Sequence, residues 1–470
     1  MPNALVWFRN DLRLADQPAL QAALRGSYTS VFVYVHAPEE EGGWPPGAAS
    51  NAWRHHSLLA LDTSLRARGS RLNILRGPTL AALQRAATEC DAEAVFWTRR
   101  YEPAIEQRDA CIKRSLRADG LRVESFNGRL LSEPWQVESK QGDPYRVFTP
   151  YWRTALAQLR VPDPMPAPDR LQAHAPLDDA LSVEALGLAP ALPWDHGFWK
   201  QWTPGEAGAQ AALQHFVDAT LADYAASRDF PDKIGTSRLS PHLHFGEISP
   251  WALARSIERL PEAGAAYLRQ LGWRDFAHHV LHHFPHTPEQ NFNPRFDGFP
   301  WADVPETFLD AWQQGRTGVP IVDAGMRELW TTGWMHNRVR MIVASFLNKN
   351  LRAHWQHGAA WFWDTLVDAD LANNTMGWQW VAGTGVDAAP YVRVFNPVLQ
   401  SQRFDPEGDY IARWIPELAS RPAQERHAPW QGGTASPGYP KQPIVDLADS
   451  RKQALDAFAA MRNIIPSEAH

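Results

Sequence analysis

Residues 71–98, RLNILRGPTLAALQRAATECDAEAVFWT, read as strand, helix, strand. RLNILRG and AVFWT are short runs of apolar and β-branched or aromatic residues. PTLAALQRAATEC between them has helical spacing behind a leading proline. Two apolar strands joined through a helix are a parallel pair. Working outward, ALVWF (4–8), SVFVYV (30–35) and LRVESF (121–126) read as further strands, and HSLLALDTSLRARG (56–69) as a helix. The first 130 residues therefore read as an α/β domain, a doubly wound parallel sheet covered on both faces. Such a sheet binds ligands at the carboxyl ends of its strands. No G-x-G-x-x-G follows the first strand, so the dinucleotide fingerprint is absent.

Residues 131–204 change character. Eleven of the 38 prolines fall here, including the run VPDPMPAP (161–168). Proline removes backbone donors and fixes φ, so this stretch reads as a long connector. From Gly205 to the C-terminus the signals are helical: GEAGAQAALQHFVDATLADYAA (205–226), SPWALARSIERL (249–260), AAYLRQLGWRDFAHHVLHHF (265–284), DAGMRELWTTG (323–333), NRVRMIVASFLNKNLRAHWQHG (337–358) and SRKQALDAFAAMRNI (450–464). The expected organisation is an α/β domain over 1–130, a linker over 131–204 and an all-α domain over 205–470.

Composition narrows the class. Hydrophobic content of 44% and charged content of 21% belong to a globular protein. The net charge is −6, so any nucleic-acid partner must meet a local basic patch. Two cysteines, Cys90 and Cys111, cannot supply four thiolates to an iron–sulfur cluster or a structural zinc. The N-terminal MPNALVWFRNDLRL lacks signal-peptide features, and no apolar run reaches 18 residues, so a cytoplasmic setting is expected. The chain carries 22 Trp. Indole is large and has an N–H that wants a partner, so this excess points to rings used for stacking or electron movement.

Several motifs admit two readings. TSRLSPHLHFGEISP (236–250) sets Thr236, Ser237 and Ser240 around Arg238, either a plain helix cap or a phosphate cradle. VDADLANN (367–374) places Asp368 and Asp370 among apolar neighbours. They are either a solvated loop or buried acids that accept from a ligand ring or pair with an arginine, Arg340 being a candidate. HHVLHHFPH (278–286) puts His278 and His282 at i and i+4, either a helix end rich in histidine or two ligands of a metal lacking a third. Trp301, Trp355 and Trp378 each read as core, and their spacing alone does not link them.

The combination LVWFRNDLRL (5–14), RDFP (228–231), GTSRLSPHLHFGEISP (235–250), WRDF (273–276), TGVPIVDAGMRELWTTGWMHNRVRM (317–341), DADLANN with GWQW (368–380) and DAAPYVRVFNP (387–397) resembles the DNA photolyase/cryptochrome family along nearly the whole chain. The resemblance implies an N-terminal antenna domain and a C-terminal helical domain that binds FAD. By motif, Tyr224, Thr236, Ser237, Arg238, Leu239 and Ser240 would hold the phosphates and ribityl chain, with Arg274 in the same wall. Asp368 would pair with Arg340 beside the flavin, Asp370 would hydrogen-bond its polar edge, and Asn374 would sit against its redox-active nitrogen. Trp378, Trp355 and Trp301 match the family's electron-hopping chain, with Trp378 innermost.

The implied partner is damaged DNA, and the implied reaction is light-driven repair of cyclobutane pyrimidine dimers flipped from the duplex. Trp273 and Trp380 would wall the lesion pocket, Asn337 and Met341 would touch the lesion, and Arg228 and Arg338 would meet phosphate or rim. A monomer without membrane association is expected. One position departs from the family: Gln270 stands where the dimer enzymes carry a glutamate. A neutral amide accepts less strongly than a carboxylate, which favours weakened repair, an altered substrate or a cryptochrome-like blue-light receptor over loss of flavin binding. The (6-4) enzymes would need histidines at Asn337 and Met341, and plant-type cryptochromes tend to carry aspartate at Asn337. In the segment RRYEPAIEQRD (99–109), Ala104 and Ile105 replace an Asn–Glu pair of folate-binding relatives. A deazaflavin, a folate bound elsewhere or no antenna chromophore at all are thus left open.

Overall fold

A computed structural model of the chain describes residues 1–172, 174–258, 261–432 and 436–464. Contacts divide it into two units. One holds Met1–Ala222, Ser237–Pro285 and Val367–Asp370; the other holds Asp223–Thr236, His286–Leu366 and Leu371–His470. The division follows contacts rather than chain order, so it does not coincide with 1–130, 131–204 and 205–470. The local reason is plain. Helix Pro261–His283 is tied to the sheet unit, where the Ser132 N–H donates to Asp275 (2.9 Å) and His282 hydrogen-bonds Glu106 (3.0 Å).

In the first unit five strands form one parallel sheet: β1 (Asn3–Phe8), β2 (Thr29–His36), β3 (Leu72–Arg76), β4 (Ala92–Thr98) and β5 (Arg122–Phe126), ordered β3-β2-β1-β4-β5. All five match the sequence reading. Successive side chains point to opposite faces, and both faces are apolar. Val6, Phe8, Phe32 and Phe96 pack with Leu20 of helix α1 (Pro18–Arg25) and Leu58 and Leu61 of α2 (Ala48–Ala67). Leu5, Trp7, Val33 and Trp97 pack with Leu83 of α3 (Thr79–Glu89) and Ile112 and Leu116 of α4 (Pro103–Ala118). Each such buried side chain contributes roughly 1.5–3 kcal/mol. Helices α1 and α4 lie beyond the sequence reading. The first has eight residues, and the second is so charged that only Ile105, Ile112 and Leu116 are buried.

Strand order reverses at β1, the point where this fold class places ligands. Here the strand ends carry arginine–carboxylate pairs. Arg9 meets Asp109 and the Thr98 carbonyl, while Arg100 holds Glu41 (2.6 Å) and Glu102 (2.9 Å). The proline-rich connector also contributes structure, because its helix Phe148–Gln158 stacks Phe148 on Trp273 of helix Pro261–His283.

Helices dominate the second unit. The run 337–358, one helix by periodicity, is broken in the structure. Helix Asn337–Ser345 passes into a π-turn, Phe346–Asn350, and a new helix, Trp355–Thr365, starts after Arg352 at φ +54°. The asparagines explain the break: Asn348 donates to the Ala353 carbonyl (3.1 Å) and Asn350 to Ser450 (2.9 Å), so side chains satisfy groups that a continuous helix would leave elsewhere. The run 205–226 likewise leaves α-geometry at His215, continuing as a π-turn, Phe216–Thr220. Of the run 249–260, helix Pro250–Ile257 forms, and Arg259 and Leu260 lie outside the described residues. No helix among the described residues is long and apolar enough to cross a membrane.

Candidate functional site

In the first unit Asp370 is the centre of a buried charge cluster. Its Oδ2 lies 3.4 Å from His278 Nε2, 3.8 Å from His244 Nδ1 and 3.9 Å from Arg129 Nη2. Burial alone would raise this carboxyl; the neighbouring His278, His244 and Arg274 outweigh that and hold it well below the usual carboxylate range. Burial lowers Arg129 to about 10, although Glu102 and Asp370 oppose the shift. Among the described residues, Arg129 Nε and Nη1 and His244 Nδ1 are buried without a hydrogen-bond partner. Orphan N–H groups beside a carboxylate are an unfinished polar wall, which fits the polar edge of a heteroaromatic ring. His278 and His282 therefore serve different acids, Asp370 and Glu106. The metal reading of that pair finds no support here.

The hydroxyl motif has its own geometry. Arg238 sits at φ +53°, a conformation that non-glycine residues avoid unless held. Its guanidinium lies 4.9 Å from the Trp202 ring. Ser237 Oγ accepts from the Tyr267 hydroxyl (2.9 Å) and the Leu239 N–H (3.3 Å). Ser240 opens the short helix Ser240–His244 as its first residue rather than as a side-chain cap, which removes the plain-cap reading for it. Leu239 is fully buried. Arg274 is anchored by the carbonyls of Arg129 and Leu243. Asp368 is half-buried.

Gln270 and Trp273 stand three residues apart on helix Pro261–His283 and so share a face. Trp273 stacks on Phe148 with ring centres 3.7 Å apart and planes 10° from parallel. Gln270 donates weakly to the Ala266 carbonyl at 3.4 Å.

In the second unit a groove of about 1410 Å³ brings together three expected lesion or rim residues, Arg338, Met341 and Trp380. Arg338 Nη1 lies 3.9 Å from the Met341 sulfur and Asn337 Nδ2 4.0 Å from it, on the first turns of helix Asn337–Ser345. Sequence reasoning missed Arg393, Arg403, Trp430 and Arg451, which line the same groove. Arg393 falls inside the motif DAAPYVRVFNP and could have been found there. Arg451 lies in the run 450–464, whose period marks a helix and not a ligand, and Arg403 and Trp430 come from segments with no local signal. Arg228 lies over the ring of buried Tyr224 (5.3 Å), whose hydroxyl burial pushes upward in pKa. Arg340 Nε donates to the Met335 carbonyl (2.8 Å). Thr236 is half-buried.

Asn374 and Trp378 are four residues apart on helix Leu371–Ala382, on one face. The Asn374 amide donates to the Ala359 carbonyl (3.0 Å). Trp378 covers Gly358, where a Cβ would run into its ring, so the two helices touch there only because residue 358 has no side chain. Trp378 also meets Phe362 (5.0 Å) and Trp312 (6.2 Å) edge-on. Trp355, on the helix of Gly358, is fully buried, with its N–H on Asn291 (2.9 Å). His354 lies between Trp355 (5.6 Å) and Trp301 (5.0 Å). His354 thus joins Trp355 to Trp301, a joint that the motifs do not show, while Trp378 lies against Gly358 of the helix that Trp355 begins.

Two family models match the chain. The DNA photolyase model covers residues 4–169, and the FAD binding domain of DNA photolyase covers residues 267–460. A deoxyribodipyrimidine photo-lyase of Agrobacterium fabrum is 44% identical, over 97% of this chain and 98% of that protein. Cryptochrome-2 of Arabidopsis thaliana is 39% identical over 97% of this chain and 79% of that protein. The crystal structure of a bacterial class III photolyase from Agrobacterium tumefaciens matches with a TM-score of 0.94 and 44% identity, covering 98% of each chain. With the sheet, the Asp370 cluster and the arginine-lined groove in place, these likenesses over nearly the full length mean that the chain belongs to the DNA photolyase/cryptochrome family.

Proposed function

We propose that the chain repairs cyclobutane pyrimidine dimers in DNA by light-driven electron transfer from bound FAD. The observation that carries this reading is the groove, in which an indole (Trp380) and a thioether (Met341) sit among four arginines, Arg338, Arg393, Arg403 and Arg451. A flat ring and a soft apolar atom suit an extruded base pair, and arginines suit the flanking phosphates. Reduced FAD, when bound, would supply on excitation the electron that opens the cyclobutane ring and would take it back once the ring has opened.

The chain's own residues do the rest. Asp370, ionised in its buried cluster, accepts from the flavin's polar edge. Asn374, its amide nitrogen engaged by Ala359, offers its Oδ1 to the flavin's redox-active nitrogen. Tyr224, Thr236, Ser237, Arg238, Leu239, Ser240 and Arg274 hold phosphates and ribityl chain, and Trp378, Trp355 and Trp301 pass electrons inward from the surface. Gln270 and Trp273 present one face to the lesion, and Gln270 can give and take one hydrogen bond each. A monomeric state belongs to the proposal, and a second, light-gathering chromophore, folate or deazaflavin, stays open beside no antenna at all.

Gln270 favours a second reading, a cryptochrome-like receptor that binds FAD without efficient repair. One assay divides them. The reduced protein and its Gln270→Glu variant are incubated with a dimer-containing oligonucleotide, in blue light and in darkness. Light-dependent loss of dimers with the native chain supports repair. Repair by the variant alone supports the receptor. A near-ultraviolet or violet absorption band beyond that of flavin would reveal the antenna.

A further inference from the structure

The groove of the second unit contains an acid that a DNA-binding surface has no evident use for. Its lining includes Arg338, Arg393, Arg403 and Arg451, but also Asp229 and Asp446. Asp446 is a helix cap, since its Oδ1 accepts the N–H groups of Ala448 and Asp449 (2.8 Å each) at the start of helix Leu447–Ile464. Asp229 instead faces arginine. Its Oδ1 lies 2.9 Å from Arg338 Nη2 and 4.0 Å from Arg228 Nε.

Arg338 is held from three directions. The carboxylate takes Nη2, the Met341 sulfur lies 3.9 Å from Nη1, and the Phe404 ring lies 4.4 Å beneath the guanidinium. Arg393, Arg403 and Arg451 make no ion pair with another described residue. The groove thus holds three open arginines and one guarded arginine, and the guarded one adjoins the expected lesion contact.

We infer that Asp229 determines specificity in this groove by occupying Arg338, so that phosphate backbone alone is held weakly and a strand that also seats a lesion is held well. The inference rests on the DNA-repair reading above. A phosphate reaching Arg338 must displace a carboxylate, exchanging one ion pair for another while Asp229 repels it. Undamaged duplex has nothing to offset this. A seated lesion is held by Met341 and Trp380 with the Asp229–Arg338 pair left intact, so only the undamaged complex carries the penalty. Discrimination is a difference of two affinities, and an element that weakens the unwanted complex widens it.

The test uses the full chain loaded with FAD, in darkness, with duplex oligonucleotides that contain or lack one cyclobutane dimer. Binding is measured by anisotropy across a KCl series, with flavin absorbance reporting the fold. Asp229→Asn is expected to tighten binding of the undamaged duplex roughly threefold to tenfold and to steepen its salt dependence by about 0.9 in log–log slope, one additional phosphate neutralised. Binding of the dimer duplex should change less, so discrimination falls. Asp229→Glu, which keeps the charge, should retain wild-type discrimination. The inference is overturned if Asp229→Asn leaves the undamaged affinity unchanged or weaker. It is equally overturned if the gain persists in an Arg338→Ala background, because the effect would then be bulk charge. A native protein with no preference for the dimer duplex overturns the repair reading and this inference together. A clear preference combined with an inert Asp229→Asn overturns only the inference.

Discussion

Replacing Asp370 with Asn tests the buried cluster directly. The substitution keeps the shape and removes the charge that faces Arg129 at 3.9 Å. Opposite charges at that distance interact by about 4 kcal/mol at an effective dielectric of 20. Removing one member of a buried pair costs about 3–5 kcal/mol, because the other charge is left without compensation. Glu102 still faces Arg129 and offsets part of the loss. The expected destabilisation is therefore about 3 kcal/mol, with Arg129 Nε and Nη1 already lacking hydrogen-bond partners to fall back on. Urea unfolding of the FAD-free protein, followed by tryptophan fluorescence, reads the stability. Titration of FAD into native and variant protein reads the affinity, which should fall at least tenfold. A variant within about 1 kcal/mol of the native stability would refute the electrostatic account of the cluster. Unchanged FAD affinity would refute the role given to Asp370.

Three further outcomes follow from the same geometry. Gly358→Ala should displace the Trp378 ring and destabilise by about 1–3 kcal/mol; flash photolysis should show slowed flavin photoreduction, and an unchanged rate would remove Trp378 from the inner end of the relay. His279 donates from Nδ1 to the Pro134 carbonyl and accepts the Tyr145 N–H at Nε2, so burial holds it neutral, with its pKa lowered to about 4. The unfolded chain takes up this proton near 6.5, so its contribution is complete above that pH and is lost as pH falls toward 4, by up to about 3 kcal/mol. His279→Gln should flatten the stability–pH curve in that window, and a curve of unchanged slope would count against the assignment. Tyr439→Phe removes the hydroxyl that donates to buried Asp323 (2.6 Å) and should cost about 1.5–3 kcal/mol by urea unfolding, since the carboxylate keeps only Thr317 and Gly318 as donors. A loss below about 0.5 kcal/mol would show that Asp323 is satisfied without it.

Much of the architecture was legible in residue order because the forces that set it are local. Alternating apolar residues in five short runs define a parallel sheet whose two buried faces are visible residue by residue, as Leu5 and Trp7 separate from Val6 and Phe8. The density of proline over 131–204 marks a segment that forms few regular elements, although periodicity there did not announce helix Phe148–Gln158. Motif order identified the family and named residues that the groove brings together, Arg338, Met341 and Trp380. Helix continuity was not legible at 346–354, where asparagine side chains win hydrogen bonds from partners distant in the chain, such as Ser450.

Tertiary packing alone decided which charges meet. Nothing in the spacing of Arg129, His244 and His278 sets each of them within 4 Å of the Asp370 carboxylate, because four separate segments deliver them. The same holds for Asp229 and Arg338, 109 positions apart, and for His354 between two indoles. Electrostatic and ring contacts depend on distance in space, to which chain separation is no guide. Hydrophobic period and backbone chemistry act between near neighbours, so the chain by itself determines its elements and its family, while the fold determines the partners of each charged group.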